Sequence, residues 1–123
     1  MFIKENKLDV FFVTLNKSLE RYSPTTMYKD YPISRDLFHW QSMSSTTQTS
    51  ERGVRNIQHR SLGITPLLFV RHDGLDEYGE TAPYCFLGPL EFQSADGERP
   101  ISIVWRLVVP MPAALYEQTR VVA

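Results

Sequence analysis

The chain has 123 residues, the size of one domain, and its 42% hydrophobic and 22% charged residues exclude collagen-like, disordered and membrane-spanning classes for the chain as a whole. A net charge of −1, from 13 basic and 14 acidic residues, excludes a protein that coats nucleic acid by bulk electrostatics; a module that reads one base and leaves most of the affinity to a larger partner stays open. No apolar run approaches the roughly 20 residues of a membrane-spanning helix, Met1 to Lys7 lack the apolar core of a signal peptide, and the single Cys85 cannot close an internal disulfide, so a cytoplasmic location is expected.

In chain order, Leu8 to Leu15 is rich in β-branched and aromatic residues and reads as a buried strand. Glu20 to Asp30 has room for a helical turn. Asp36 to Ser42 alternates, with Leu37, His39 and Gln41 on one face and Phe38, Trp40 and Ser42 on the other. Ser42 to Ser50 is nearly all small hydroxyl residues and leads into the basic segment Glu51 to Arg60; residues 42–60 are expected to form one long flexible loop. Pro66 to Arg71 is a short apolar strand. Tyr84 to Gln93 is another, with a bulge or bend at Gly88-Pro89. Asp96-Gly97 is a hairpin signal. Ile101 to Val109 is the clearest strand, with Ile101, Ile103, Trp105, Leu107 and Val109 on one face. Ala113 to Thr119 suits a short terminal helix, and no amphipathic helix of core length is seen. These elements predict a single mainly β (α+β) domain, core about 8–112, with few short helices and the strands closed into a small, strongly bent β-barrel.

Catalytic signatures are missing. The chain has no phosphate-cradling G-x-x-x-x-G-K-[ST], no G-x-S-x-G elbow and no H-x-K-x-x-x-x-D pattern, and one cysteine with three scattered histidines gives no zinc spacing. Asp76 with Glu91-Phe92-Gln93 is the nearest approach to a metal-dependent nuclease, but glutamine stands where the water-orienting lysine belongs. No catalytic residue, cofactor or metal is expected. The charge is unevenly placed: Arg52, Arg55 and Arg60 sit with His59 in one stretch, and Asp73, Asp76, Glu77 and Glu80 in another. Two solvated loops, or a polarity that orients the domain on a phosphate backbone, both account for this.

The most informative segment is Tyr22 to Ser42, Y-S-P-T-T-M-Y-K-D-Y-P-I-S-R-D-L-F-H-W-Q-S, with five aromatics among Lys29, Asp30, Arg35, Asp36, His39 and Gln41. Aromatic faces stack on a base, carboxylates accept from its exocyclic amine, and Lys or Arg hold phosphates. Tyr28, Asp30, Tyr31 and Trp40 are the candidate base pocket, with Lys29, Arg35, Arg52, Arg55 and Arg60 as candidate backbone contacts. The competing fate of Phe38 and Trp40 is core packing; a third is an exposed patch of the two rings that docks a protein partner.

This segment resembles the domain of unknown function at the C-terminus of prokaryotic DEAD/DEAH-type helicases, as do A-P-Y-C-F-L-G-P, Ala82 to Pro89, and G-E-R-P-I-S-I-V-W-R-L, Gly97 to Leu107. The three blocks occur in the family's order and span about Leu8 to Pro112. In type IV, modification-dependent restriction enzymes, the resemblance implies the target-recognition part, similar in fold to the SET-and-RING-associated, PUA-like domains. It implies binding of double-stranded DNA bearing 5-methylcytosine by base flipping, with helicase and nuclease domains of the same or a partner chain as partners and no membrane. The alternative is a protein-interaction domain that docks on a helicase core without reading a base.

Overall fold

A computed structural model describes residues 1–15 and 30–119. The helical turn expected within Glu20 to Asp30, and Tyr28 and Lys29 with it, lies outside the described residues, Asp30 excepted. The strands are β1 (Phe2–Ile3), β2 (Leu8–Thr14), β3 (Tyr31–Pro32), β4 (Leu37–Gln41), β5 (Thr65–Arg71), β6 (Cys85–Asp96) and β7 (Ser102–Leu107). Among the described residues three α-helices accompany them, α1 (Glu51–Ile57), α2 (His59–Leu62) and α3 (Ala113–Thr119), with one turn of 3-10 helix at Lys4–Asn6. The expected strands and the terminal helix are therefore present, and the domain is mainly β. No described helix is long and apolar enough to cross a membrane.

The strands form one seven-stranded sheet in the order β1-β2-β5-β6-β7-β4-β3. Only β2 and β5 pair in parallel; every other neighbour is antiparallel. The expected closed barrel is not formed. Both edge strands, β1 and β3, are two residues long. Pro32 in β3 has no amide hydrogen, so it cannot extend a ladder toward the other edge.

The strong bend that suggested a barrel is nonetheless present. β2 and β4 stand four places apart in the sheet, about 19 Å in a flat sheet at roughly 4.8 Å per strand. Yet the rings of Phe11 on β2 and Trp40 on β4 lie 4.8 Å apart. The sheet therefore curls until its two halves face each other. β6 makes the corner, since its Cys85–Pro89 half pairs with β5 and its Leu90–Asp96 half with β7. The expected irregularity is there: Gly88 takes φ 96°, and the register slips beside it, so that Leu68 faces Gly88 while Phe69 faces Phe86. A second slip between Phe92 and Ser94 adds further bend.

The core fills this fold. Phe38, Leu68, Leu90, Ile101, Ile103, Trp105 and Leu107 are fully buried, as the alternation of β4 and β7 predicts. Val109, past the end of β7, is exposed. Asp96-Gly97 opens the β6–β7 turn, Gly97 taking φ 73°.

The flexible loop expected over residues 42–60 is overturned, because α1 and α2 occupy most of its second half. Its hydroxyls are a capping network. The Ser50 Oγ accepts from the backbone of Gly53, which caps α1, and donates to the Thr47 carbonyl at 2.7 Å, while the Ser50 amide donates to Thr47 Oγ1. Serine and threonine fix backbone N–H groups at a helix start in this way. Gly53 then rests so close to Thr47 that a Cβ would meet its carbonyl oxygen at 1.9 Å.

Candidate functional site

The curl of the sheet leaves a cleft of about 430 Å³ between β2, β4, the residues after β4, and α1. Asp9, Phe11, Trp40, Arg52, Arg55 and Asn56 are among its walls. Alternation along β2 turns Asp9 and Phe11 to the inner side, and alternation along β4 turns Trp40 toward them. The capped helix α1 supplies the remaining polar groups, at successive turns of one short element.

Asp9 is the chemical centre. It is 4% exposed. One carboxylate oxygen, Oδ2, receives Arg55 Nε at 3.4 Å and Asn56 Nδ2 at 3.3 Å. Burial raises its pKa above the ordinary 3.8, and the Arg55 guanidinium pulls it part of the way back. The Arg55 guanidinium carbon also lies over the Phe2 ring, 4.2 Å from its centre, so the side chain is held between a carboxylate and an aromatic face. Arg52 is exposed and donates to the sulfur of Met43, which also lines the cleft. Phe11 and Trp40, tilted by 50°, give the cleft its aromatic wall. A cleft of this size, with aromatic walls and a few convergent polar groups, suits one small ring-shaped ligand; pockets for such ligands span about 300–1,000 Å³.

The residues expected at a site part company here. Trp40, Arg52 and Arg55 meet in the cleft. Tyr31 does not join them: it pairs across the ladder with His39 and stacks on that ring at 4.8 Å, on the face of β4 opposite to Trp40. The Asp30 carboxylate accepts from the Gln41 amide at 3.0 Å and so ties β3 to the end of β4. Arg35 donates Nε to the carbonyl of Met111 at 2.9 Å, fastening the chain beyond β7. Arg60 pairs with Glu91 at 2.8 Å, and Arg106 meets the same oxygen at 2.6 Å. The two guanidiniums, Arg106 first, hold the Glu91 carboxyl below its ordinary pKa. His59 is buried against Trp105. The basic stretch is thus engaged in contacts within the protein, Arg55 and His59 in its interior and Arg52 and Arg60 at its surface.

Phe38 is 0% exposed, so the docking patch of Phe38 with Trp40 does not exist. Asp76 accepts from the amides of Tyr78 and Glu80 within its own loop. Among the described residues, no group of three or more His, Cys, Asp or Glu is placed to hold a metal ion.

Sequence reasoning missed Asp9, Phe11 and Asn56. A charged residue inside an apolar strand, L-D-V-F-F-V, was the available signal for Asp9, because a buried carboxylate requires partners. Two comparisons with known proteins bear on the chain. The model of a family described as a domain of unknown function, DUF3427, matches residues 1–119. No curated protein matches it.

Proposed function

The chain belongs to the DUF3427 family, and from that premise and the cleft we propose that it is a DNA-recognition module that receives an extruded 5-methylcytosine. The observation that carries this reading is the meeting of two aromatic rings, a carboxylate, an amide and two guanidiniums around one cleft of about 430 Å³. Phe11 and Trp40 supply the faces on which an extruded base stacks. Asp9 accepts from an exocyclic amine, Asn56 offers both donor and acceptor, and Arg52 at the exposed rim meets phosphate. The carboxylate role anticipated for Asp30 passes to Asp9. The module shares with SET-and-RING-associated domains the device of an extruded base, on an open, curled sheet. No catalytic step belongs to it; translocation and cleavage fall to helicase and nuclease domains of a restriction system, in the same or a partner chain.

Binding of the chain to short duplexes that differ only in cytosine methylation, at two salt concentrations, tests this reading. The methylated duplex should bind about tenfold tighter, and Trp40→Ala and Asp9→Asn should each abolish the difference. Salt should weaken binding modestly, since few phosphates are contacted. Equal affinity for both duplexes, or discrimination that survives both substitutions, refutes it.

A further inference from the structure

The outward face of the β2-β5-β6 half of the sheet carries one phenylalanine on each strand. The register sets Phe12 of β2 beside Phe69 of β5, and Phe69 beside Phe86 of β6. Their rings lie 5.2 and 4.8 Å apart, and Tyr84 closes on Phe12 at 5.1 Å. Phe12 is 50% exposed and Phe86 55%. Four touching rings on one face, two of them half in water, form a contiguous patch of the kind that marks an interaction surface.

The electrostatics of its border narrow the partner. Arg71 belongs to the patch but is fully engaged: its guanidinium lies 4.4 Å from the centre of the Tyr84 ring, and it donates to Thr14 Oγ1 and the Ala82 carbonyl. These bonds tie in the connection from β5 to β6, which bears exposed Leu75 and Tyr78 together with Asp73, Asp76, Glu77 and Glu80. Asp73 meets His72. Among the described residues, no cation pairs with Asp76, Glu77 or Glu80. An apolar aromatic face therefore adjoins a loop with uncompensated negative charge.

We infer that this face docks a protein segment that is both apolar and basic, with aliphatic side chains over the four rings and Lys or Arg facing Glu77 and Glu80. Complementary charge fixes the register and rejects acidic partners. A nucleic-acid strand fits poorly, because stacking its bases here would press phosphates against the acidic loop. A second copy would present the same acidic loop to this face.

The probes are two synthetic amphipathic helical peptides, one of Leu and Lys and one of Leu and Glu, with oligothymidylate as a third ligand. The Leu/Lys peptide should bind the parent chain and the Leu/Glu peptide should not. Phe86→Ser, and separately the pair Glu77→Lys and Glu80→Lys, should each weaken binding about fivefold or more. The charge pair lies in an exposed loop and, among the described residues, makes no side-chain bond, so it keeps the test valid if Phe86→Ser disturbs folding. Trp40→Ala should leave peptide binding intact, which separates this face from the cleft. Equal binding of both peptides, parent affinity in the charge-reversed chain, binding of oligothymidylate that Phe86→Ser abolishes, or dimerisation that Phe86→Ser abolishes would each overturn the inference.

Discussion

His59 accepts a hydrogen bond at Nε2 from the backbone amide of Phe92, 3.0 Å away. Nδ1 must then carry the proton, and it donates to the Ile64 carbonyl at 3.1 Å. The ring thus joins the end of α2 to the bulged part of β6 only while it is neutral. Burial lowers its pKa from the ordinary 6.5, outweighing the Ile64 carbonyl, which acts in the opposite sense. The unfolded chain takes up this proton first. The stability due to neutral His59 is therefore complete above about pH 6.5 and is lost as pH falls through the lowered folded value. Urea denaturation between pH 7.5 and 5 should show a falling midpoint in the parent and a flatter profile in His59→Gln. Parallel profiles would refute the assignment.

Asp9 has the opposite sign. Its folded pKa stands above 3.8, so its contribution is present below that pH and is lost as pH rises through the raised value. Arg55 limits the loss. Arg55→Ala should raise the Asp9 midpoint further, followed by carboxyl carbon chemical shifts. It should also cost about 3 kcal/mol near pH 7, where the buried charge loses its partner, and much less near pH 3.5. An equal cost at both pH values would show that Arg55 acts by packing alone.

Gly53→Ala in α1 reverses a familiar expectation. In an open helix the change gains about 0.5–1 kcal/mol. Here the new methyl meets the Thr47 carbonyl at 1.9 Å, and the cap must shift to admit it. A loss of about 1–3 kcal/mol is expected, read as a lowered thermal midpoint. A gain would mean that residues 47–53 yield without strain.

Phe38 and Trp40, two residues apart on one face of β4, should separate folding from binding. Phe38→Ala removes a fully buried ring and should cost about 3–5 kcal/mol. Trp40→Ala, at the cleft wall, should cost about 1–2 kcal/mol and leave the circular dichroism spectrum of the parent. Equal costs would place Trp40 in the core.

The strands and their faces were legible because period-two alternation survives wherever one side of a strand is buried, as at Ile101, Ile103, Trp105 and Leu107. Sheet order was not legible: β2 pairs with β5 across the connection that holds β3, β4, α1 and α2, and no local signal encodes such a partner. The helices at 51–62 were missed because their start is specified by hydroxyl geometry at Thr47 and Ser50, which composition alone reads as flexible polar chain. At the site, Trp40, Arg52 and Arg55 could be named from residue type. Asp9 could not be joined to them, since only the curl of the sheet brings the N-terminal strand against β4 and α1.

The pairing of β2 with β5 has a consequence for biosynthesis. Leu8 to Thr14 leave the ribosome before their ladder partner, Thr65 to Arg71, which follows some fifty residues later, and β4 waits for β7. Such non-local pairings close slowly. Until Thr65 to Arg71 have been made, the nascent chain carries Val10-Phe11-Phe12-Val13 without their parallel partner, which leaves this apolar stretch open to chaperone capture and to misassembly if synthesis stalls before Arg71.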